Sequence, residues 1–585
     1  MCLLSWSWSW SCILLFLTNK WCFTATWVPR VLMRRTHSKV ADLVVTNATI
    51  FTSHHSLLFA EAMAIQDSRI LHVGNYSSVQ DFIGHGTQQL NIKGKVVVPG
   101  FIDSHVHFIP GGLQMAQVEL HGVKSKDEFA SKVKEATKGK EKDSWVLGGG
   151  WNNDLWGGDL PTVSWIDDIT PNNPVWLSRM DGHMGLTNSV ALRNAGVSKY
   201  TQDPVGGSII RTADGERFFM LSVFLEPTGL LVDSAMKLVV NCIPEISIIE
   251  RRNAMLRASR FALSRGVTTV VDLGRFYPGV SIELSWEDFK DVYSWADSTG
   301  NMLIRICLFF PMATWSRLVD TLKHTGRALS QWLFLGGVKA FSDGSLGSNS
   351  ALFYEPYVDE PTNYGLQVTN SDWLLNNSIL ADKSGLQVAI HAIGDKANDL
   401  ILDLNEALIA TNGFRDRRFR IEHAQHLLPE SVSRFGKQGV IASVQPEHLM
   451  DDANSAANKL GQDRAYAESY LFHSLLSSNA RLAFGSDWPV ADIDPLAGIN
   501  VAVKRIPPGW EKPWIPFERV TLNEALIAHT ISAAYACFLD HELGSLSSGK
   551  FADFVVLSSD SWVDFEEHVS ASVLATYVGG VKAYP

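Results

Sequence analysis

The stretch Lys95-Val96-Val97-Val98-Pro99-Gly100-Phe101-Ile102-Asp103-Ser104-His105-Val106-His107 decides how this chain is read. An apolar run meets a Pro-Gly turn signal, and a second short run leads into His-x-His. Alternate side chains of an extended strand share a face, so His105 and His107 point the same way. Two imidazoles at one strand end are suited to grip a single metal ion, because His is the commonest ligand for zinc-like metals. Taken alone, the pair also fits a chance occurrence in a loop. The later chain tips the balance.

From Val96 onward, strand-like runs alternate with helical ones, the pattern of a parallel (β/α)8 barrel of the TIM type. Eight strands are predicted: Val96–Ile102, Thr268–Leu273, Ile304–Phe310, Phe334–Phe341, Gln387–Ile393, Phe419–Glu422, Val440–Val444 and Arg481–Gly485. Most are near-continuous apolar runs, as expected of strands buried on both faces. The ends of these strands carry chemistry. The first brings His105 and His107, the fourth Lys339, the fifth His391, the sixth His423 and the eighth Asp487. Each has a bland alternative: a core histidine with its partners satisfied, an ion-paired lysine, an aspartate capping the next helix. In a barrel, however, all these ends converge on one face, where barrel enzymes keep their active sites. The spacing therefore predicts a metal centre.

The 585 residues suit one large barrel with an accessory domain. A formal net charge of −11 argues against nucleic acid as the main partner, since phosphate binding needs a basic face. Beyond residue 22 the chain holds Cys242, Cys307 and Cys537, an odd and scattered set that makes no disulfide framework.

Residues 1–40 differ from the rest. An apolar, Trp-rich run over Leu3 to Leu17 precedes Lys20, Arg30, Arg34, Arg35 and Lys39. This reads as a targeting or anchor segment, with membrane contact through residues 1–28. The basic flank places the body on the cytosolic side. The expected location is the cytoplasmic face of an internal membrane or the perinuclear region, with the secretory pathway or an organelle as the alternative. Residues 41–95 and 541–585 both contain strand-like material, and neither has the apolar surface to stand alone. They are expected to pair into one small β-sandwich domain with the barrel, residues 96–540, between its halves. The stretch from about 108 to 244, rich in Trp, Gly and Asp, reads as an insertion after the first barrel strand.

The pattern resembles the amidohydrolase superfamily, and within it amidohydrolase family 3, the group that includes N-substituted formamide deformylase. The resemblance is carried by Pro99-Gly100-Phe101-Ile102-Asp103-Ser104-His105-Val106-His107, by Asp343-Gly344-Ser345-Leu346-Gly347-Ser348, by Phe484-Gly485-Ser486-Asp487-Trp488-Pro489-Val490, and by Gly549-Lys550-Phe551-Ala552-Asp553. It implies that His105, His107 and Asp487 hold one metal, that His391 and His423 hold a second, and that Lys339 bridges them as a carbamate. It also implies one or two divalent ions per chain, zinc by default, with iron, manganese and nickel compatible. Asp487 would be the catalytic proton shuttle on a small-molecule amide. Trp151, Asp181 and His183 lie in the insertion, where family members place substrate-contacting segments; Asp343, Ser345 and His448 follow barrel strands and are read as further pocket residues. For each of these six a role in a turn stays open. The expected reaction is metal-dependent hydrolysis of a non-peptide C–N bond. The alternative, suggested by likeness to plant members of the group, is a signalling or scaffold protein on this fold acting in far-red light responses.

Overall fold

The computed structural model describes residues 40–212, 225–278 and 280–585. The targeting segment read over residues 1–40 lies, but for residue 40, outside the described residues. Among the described residues no helix is long and apolar enough to cross a membrane.

Eight parallel strands form the central sheet: β1 (Phe101–Val106), β2 (Val267–Asp272), β3 (Arg305–Pro311), β4 (Leu333–Phe341), β5 (Gln387–Ala392), β6 (Arg420–His423), β7 (Ile441–Val444) and β8 (Arg481–Phe484). They pair in sequence order, and a parallel bridge from Val106 to Trp488 brings the far edge back to β1. The sheet is therefore a nearly closed barrel. All but Arg481 of these strand residues are buried, which explains why the strands read as unbroken apolar runs rather than alternating ones.

The first predicted strand, Val96–Ile102, is two strands. Val96–Pro99 pairs with Thr49–Phe51 and Phe554–Leu557 in a sheet outside the barrel, and β1 begins only at Phe101. The break is steric. A Cβ on Gly100 would lie 2.2 Å from Thr268 Oγ1, so only glycine lets the chain pass β2 as it changes sheets.

Strands from the two ends of the chain share a sheet, with Val96–Pro99 between them. A six-stranded sheet runs Val581–Tyr584, Val573–Val578, Phe554–Leu557, Val96–Pro99, Thr49–Phe51, Phe59–Ala60. A four-stranded sheet runs Arg69–Gly74, Ala62–Gln66, Leu43–Thr46, Gln88–Asn91. Val45, Ile65, Val97, Phe554 and Tyr577 share one apolar cluster, and the last two rings stack at 4.3 Å.

The insertion builds structure of its own. Val118–Glu119, Val146–Trp151, Val175–Arg179, Met184–Thr187, Pro227–Asp233 and Gly207–Arg211 form a mixed six-stranded sheet in that spatial order. It closes over a separate core that includes Leu120, Phe129, Val146, Leu177 and Leu230.

Candidate metal centre

The six predicted ligands converge. His105 lies in β1 with His107 just past its end, Lys339 in β4, His391 in β5, His423 at the end of β6 and Asp487 just after β8. All are buried. Asp487 Oδ1 lies 3.2 Å from His105 Nε2 and 3.4 Å from His107 Nε2. The His423 ring is centred 5.0 Å from that of His105 and 4.4 Å from that of His391. Two of these residues sit on left-handed backbone, His423 with φ +76° and Asp487 with φ +59°. That conformation costs a non-glycine residue free energy, and it is typical of places where a site dictates side-chain direction.

Each histidine on β1 is oriented by its outer nitrogen. His105 Nδ1 is 2.7 Å from Glu422 Oε2, and His107 Nδ1 is 2.7 Å from the Gly274 carbonyl. Both acceptors demand an N–H, so each Nε2 is left with a lone pair facing inward. Glu422 is in turn clamped by Arg420, with Nε to Oε1 at 2.7 Å and Nη2 to Oε2 at 3.1 Å. On the inner side, His105 Nε2, Lys339 Nζ, His423 Nδ1, His448 Nε2 and Asp487 Oδ1 are all buried without a hydrogen-bond partner. Buried polar atoms are almost always paired, so five unpartnered atoms in one part of the barrel mouth fit a site for a bound group. Imidazole nitrogens with a carboxylate make a donor set that suits a divalent transition metal. His105, His107 and Asp487 form one candidate triad; His423, His448 and Asp487 form another.

The electrostatics agree. Burial works against the charge on Asp487, but His105, His423 and His107 outweigh it and hold the carboxyl well below the usual range. Burial drives His107 down to about 4, and drives His391 and His423 well below the imidazole range, so these rings are neutral and free to ligate. Burial also brings Lys339 down to about 8, against the opposing pull of Glu422 and Asp487.

Above the cluster lies about 530 Å³ of open space. Of the six residues read as substrate contacts, Asp181, His183, Ser345 and His448 line it. His183 Nδ1 bonds Asp233 at 2.6 Å, and its ring is 5.0 Å from that of His391. Ser345 donates to Asp181 at 2.5 Å. The other two do not line it, although Asp343 Oδ1 lies 3.6 Å from His391 Nε2. Trp151 is fully buried in the insertion's own core, with its indole N–H donated to the Leu177 carbonyl at 2.8 Å. Its ring is spent on packing. Asp343 is a loop organiser: it accepts the backbone N–H groups of Leu352, Ile393 and Gly394, and burial pushes its carboxyl up to about 7.

Several site residues escaped the sequence reading. Arg179 bonds Asn152, Asn153, Asp154 and Asp181 at once, fixing the part of the insertion that lines the pocket. Asp451 and Asp452 line the far wall, and Asp452 accepts from Gln425 and Tyr470, each at 2.6 Å. Glu422 left one legible sign: Arg420 and Glu422 alternate in the Arg-Ile-Glu-His run, so their side chains share a strand face.

The amidohydrolase family model matches residues 88–584. This chain belongs to the amidohydrolase family. The Arabidopsis thaliana protein LONG AFTER FAR-RED 3 is 64% identical over 546 residues, 93% of this chain and 92% of that one. N-substituted formamide deformylase of Arthrobacter pascens is 27% identical, covering 94% and 99%. Among solved structures, an uncharacterized metal-dependent hydrolase from Pyrococcus furiosus superposes with a TM-score of 0.65 at 28% identity, covering 88% of this chain and 99% of its own. Family membership and the cluster of unpaired donors agree on a metal-dependent hydrolase.

Proposed function

We propose that this amidohydrolase cleaves a non-peptide C–N bond, an amide or N-formyl-type group, in a small molecule. The observation that carries the reading is the set of five buried, unpartnered donor atoms at the barrel mouth. In this proposal His105, His107 and Asp487 hold one ion and His391 and His423 a second, with Lys339 between them. Zinc is the expected metal, one or two ions per chain. When bound, it polarises a carbonyl and makes water a nucleophile at neutral pH.

The chain's own residues do the rest. Glu422 and the Gly274 carbonyl hold His105 and His107 in the tautomer that ligates. Asp487, ionised throughout the neutral range, accepts the proton of the attacking water and returns it to the departing nitrogen as the C–N bond breaks, yielding an acid and an amine. Burial brings the Lys339 amine down to about 8, so a minor fraction is unprotonated near pH 7, and a carbamate would form from that fraction.

The charge of the pocket supports a non-peptide substrate. Asp154, Asp181, Asp451, Asp452 and Asp487 line it, against a single cation, Arg179, which is already bonded to its neighbours. Apart from the proposed metal ions, a peptide C-terminus or an acyl amino acid would bring a carboxylate with no free side-chain cation in the lining to receive it.

Elemental analysis of protein purified without chelator, followed by a screen of neutral amides, tests the proposal. Stoichiometric transition metal and turnover of at least one amide are expected; protein without metal would end it.

The 64% identity to LONG AFTER FAR-RED 3 favours a second reading, a role in far-red light signalling. The two separate cleanly. If an Asp487→Asn chain restores the far-red response of a plant lacking the relative, the role is that of a scaffold; if it does not, while wild type does, the role depends on catalysis.

A further inference from the structure

We propose that the substrate carries a bulky apolar group, the size of an aromatic ring system, on one side of the scissile bond, and that this group sits in a second cavity beside the metal centre. This rests on the hydrolase reading and names its substrate class.

The cavity is a cleft between the insertion and the barrel, with about 1180 Å³ of space that includes its opening to solvent. Its walls include Leu147, Trp176, Met180, Met236, Val240 and Ile243. Strand Val175–Arg179 explains why one wall is continuous. Trp176, Ser178 and Met180 alternate onto the cavity face, while Val175 and Leu177 turn into the insertion's core. Arg179, Met180 and Val490 line both this cavity and the space above the ligands, so the two adjoin. Tyr277 makes the link closer. It lines the cavity, and its ring lies 4.4 Å from that of His107, tilted by 30°.

Pockets of mostly apolar lining with a few polar groups at one end are how proteins hold small molecules. Here the polar end is the junction at Arg179 with the space above the ligand cluster. The Arg179 guanidinium, at the junction, is fully engaged by Asn152, Asn153, Asp154 and Asp181, so it offers no charge that would exclude an apolar group.

The test uses the metal-loaded full chain and pairs of amides: N-methylacetamide against N-(2-naphthylmethyl)acetamide, the formyl counterparts, and 2-naphthylacetamide for the acyl side. Transfer of a ring system out of water corresponds to a preference of about 100-fold in kcat/KM for one naphthyl member over its methyl counterpart. Val240→Trp, which fills the cavity from a half-buried position, should cut that preference at least tenfold, and Ile243→Arg should do the same. A binding arm uses Asp487→Asn protein, with affinity for the same compounds read from naphthyl fluorescence and thermal shift. Tighter binding of a naphthyl amide, lost on adding Val240→Trp, supports the cavity. Equal affinities, or a preference untouched by both cavity variants, overturn it. If wild type hydrolyses no amide at all, the hydrolase reading fails, and the binding arm still decides the cavity by the same criteria.

Discussion

Two buried charged clusters sit at opposite ends of the barrel, and they differ in one respect. At the C-terminal ends of the strands, His105, Lys339, His423, His448 and Asp487 each present an inward atom with no partner. At the other end, Arg305 opens β3 and meets Asp553 with Nε to Oδ2 at 2.7 Å and Nη2 to Oδ1 at 2.9 Å. Asp553 also accepts the Gly579 N–H at 2.7 Å, and the guanidinium lies 3.9 Å from the Phe551 ring centroid. Burial is equal; satisfaction is not. The Arg305–Asp553 cluster is complete within the chain and joins the barrel to the sheet built from both chain ends. The histidine cluster leaves five inward atoms without a partner in the chain. Buried charged groups alone do not mark a catalytic centre, since both ends have them. What sets the histidine end apart is that several unpaired donors of metal-ligating types gather in one place.

The sharpest way to break this contrast is Asp487→Asn. Asn keeps the size and one oxygen, so metal ligation is expected to survive in part, but it cannot take a proton from water near pH 7. Turnover should fall by about 10²–10⁴-fold, the usual worth of a general base, with the melting temperature nearly unchanged. Rates and metal content measured on the same preparation check it. Near-normal turnover with metal bound would show that Asp487 is not the shuttle. Lys339→Ala should differ from it in losing metal, down to one equivalent or fewer.

Arg305→Ala should show the opposite signature. Leaving Asp553 buried and unpaired is expected to cost about 3–5 kcal/mol of stability, while kcat/KM per folded molecule stays at the wild-type value. Urea unfolding and active-site titration give the two numbers. Arg305→Met combined with Asp553→Leu should recover most of the loss, because a buried pair removed whole is far cheaper than one removed by half.

A smaller effect is expected of Trp151→Phe. It removes the hydrogen bond to the Leu177 carbonyl at about 1 kcal/mol and leaves KM unaltered, as befits a ring inside the insertion's core. A KM change of tenfold or more would return Trp151 to the substrate pocket. Removal of residues 1–39 should change nothing in vitro: they hold none of the converging ligands, and a folded truncation starting at Val40 should keep wild-type kcat/KM. Loss of activity in soluble, folded protein would count against a purely directing role for that segment.

Much of the barrel was legible because its signals are local. Parallel strands buried on both faces must be apolar throughout, and a ligand at a strand end shows up as a His, Lys or Asp closing an apolar run. That is why His105, His107, Lys339, His391, His423 and Asp487 were readable one strand at a time. The misread start of β1 has an equally local sequence but a non-local cause. Val96 to Ile102 is apolar without a gap, and what breaks it is Thr268 in a neighbouring strand, which leaves no room for a side chain at position 100.

By itself, then, the sequence determined the alternation of strands and helices, the identity of the donor atoms and the family. The tertiary structure alone decided how those donors are aimed. His105 is oriented by Glu422, 317 residues away, and Asp181 is bound by Ser345, 164 residues away. It also decided that Trp151 packs inward and that Trp176 and Met180 open a cavity beside His107. The physical reason is range. Periodicity and turn chemistry act over a few residues and leave a mark in the chain, whereas a hydrogen bond across the barrel depends on the register of strands that meet only once the sheet has closed.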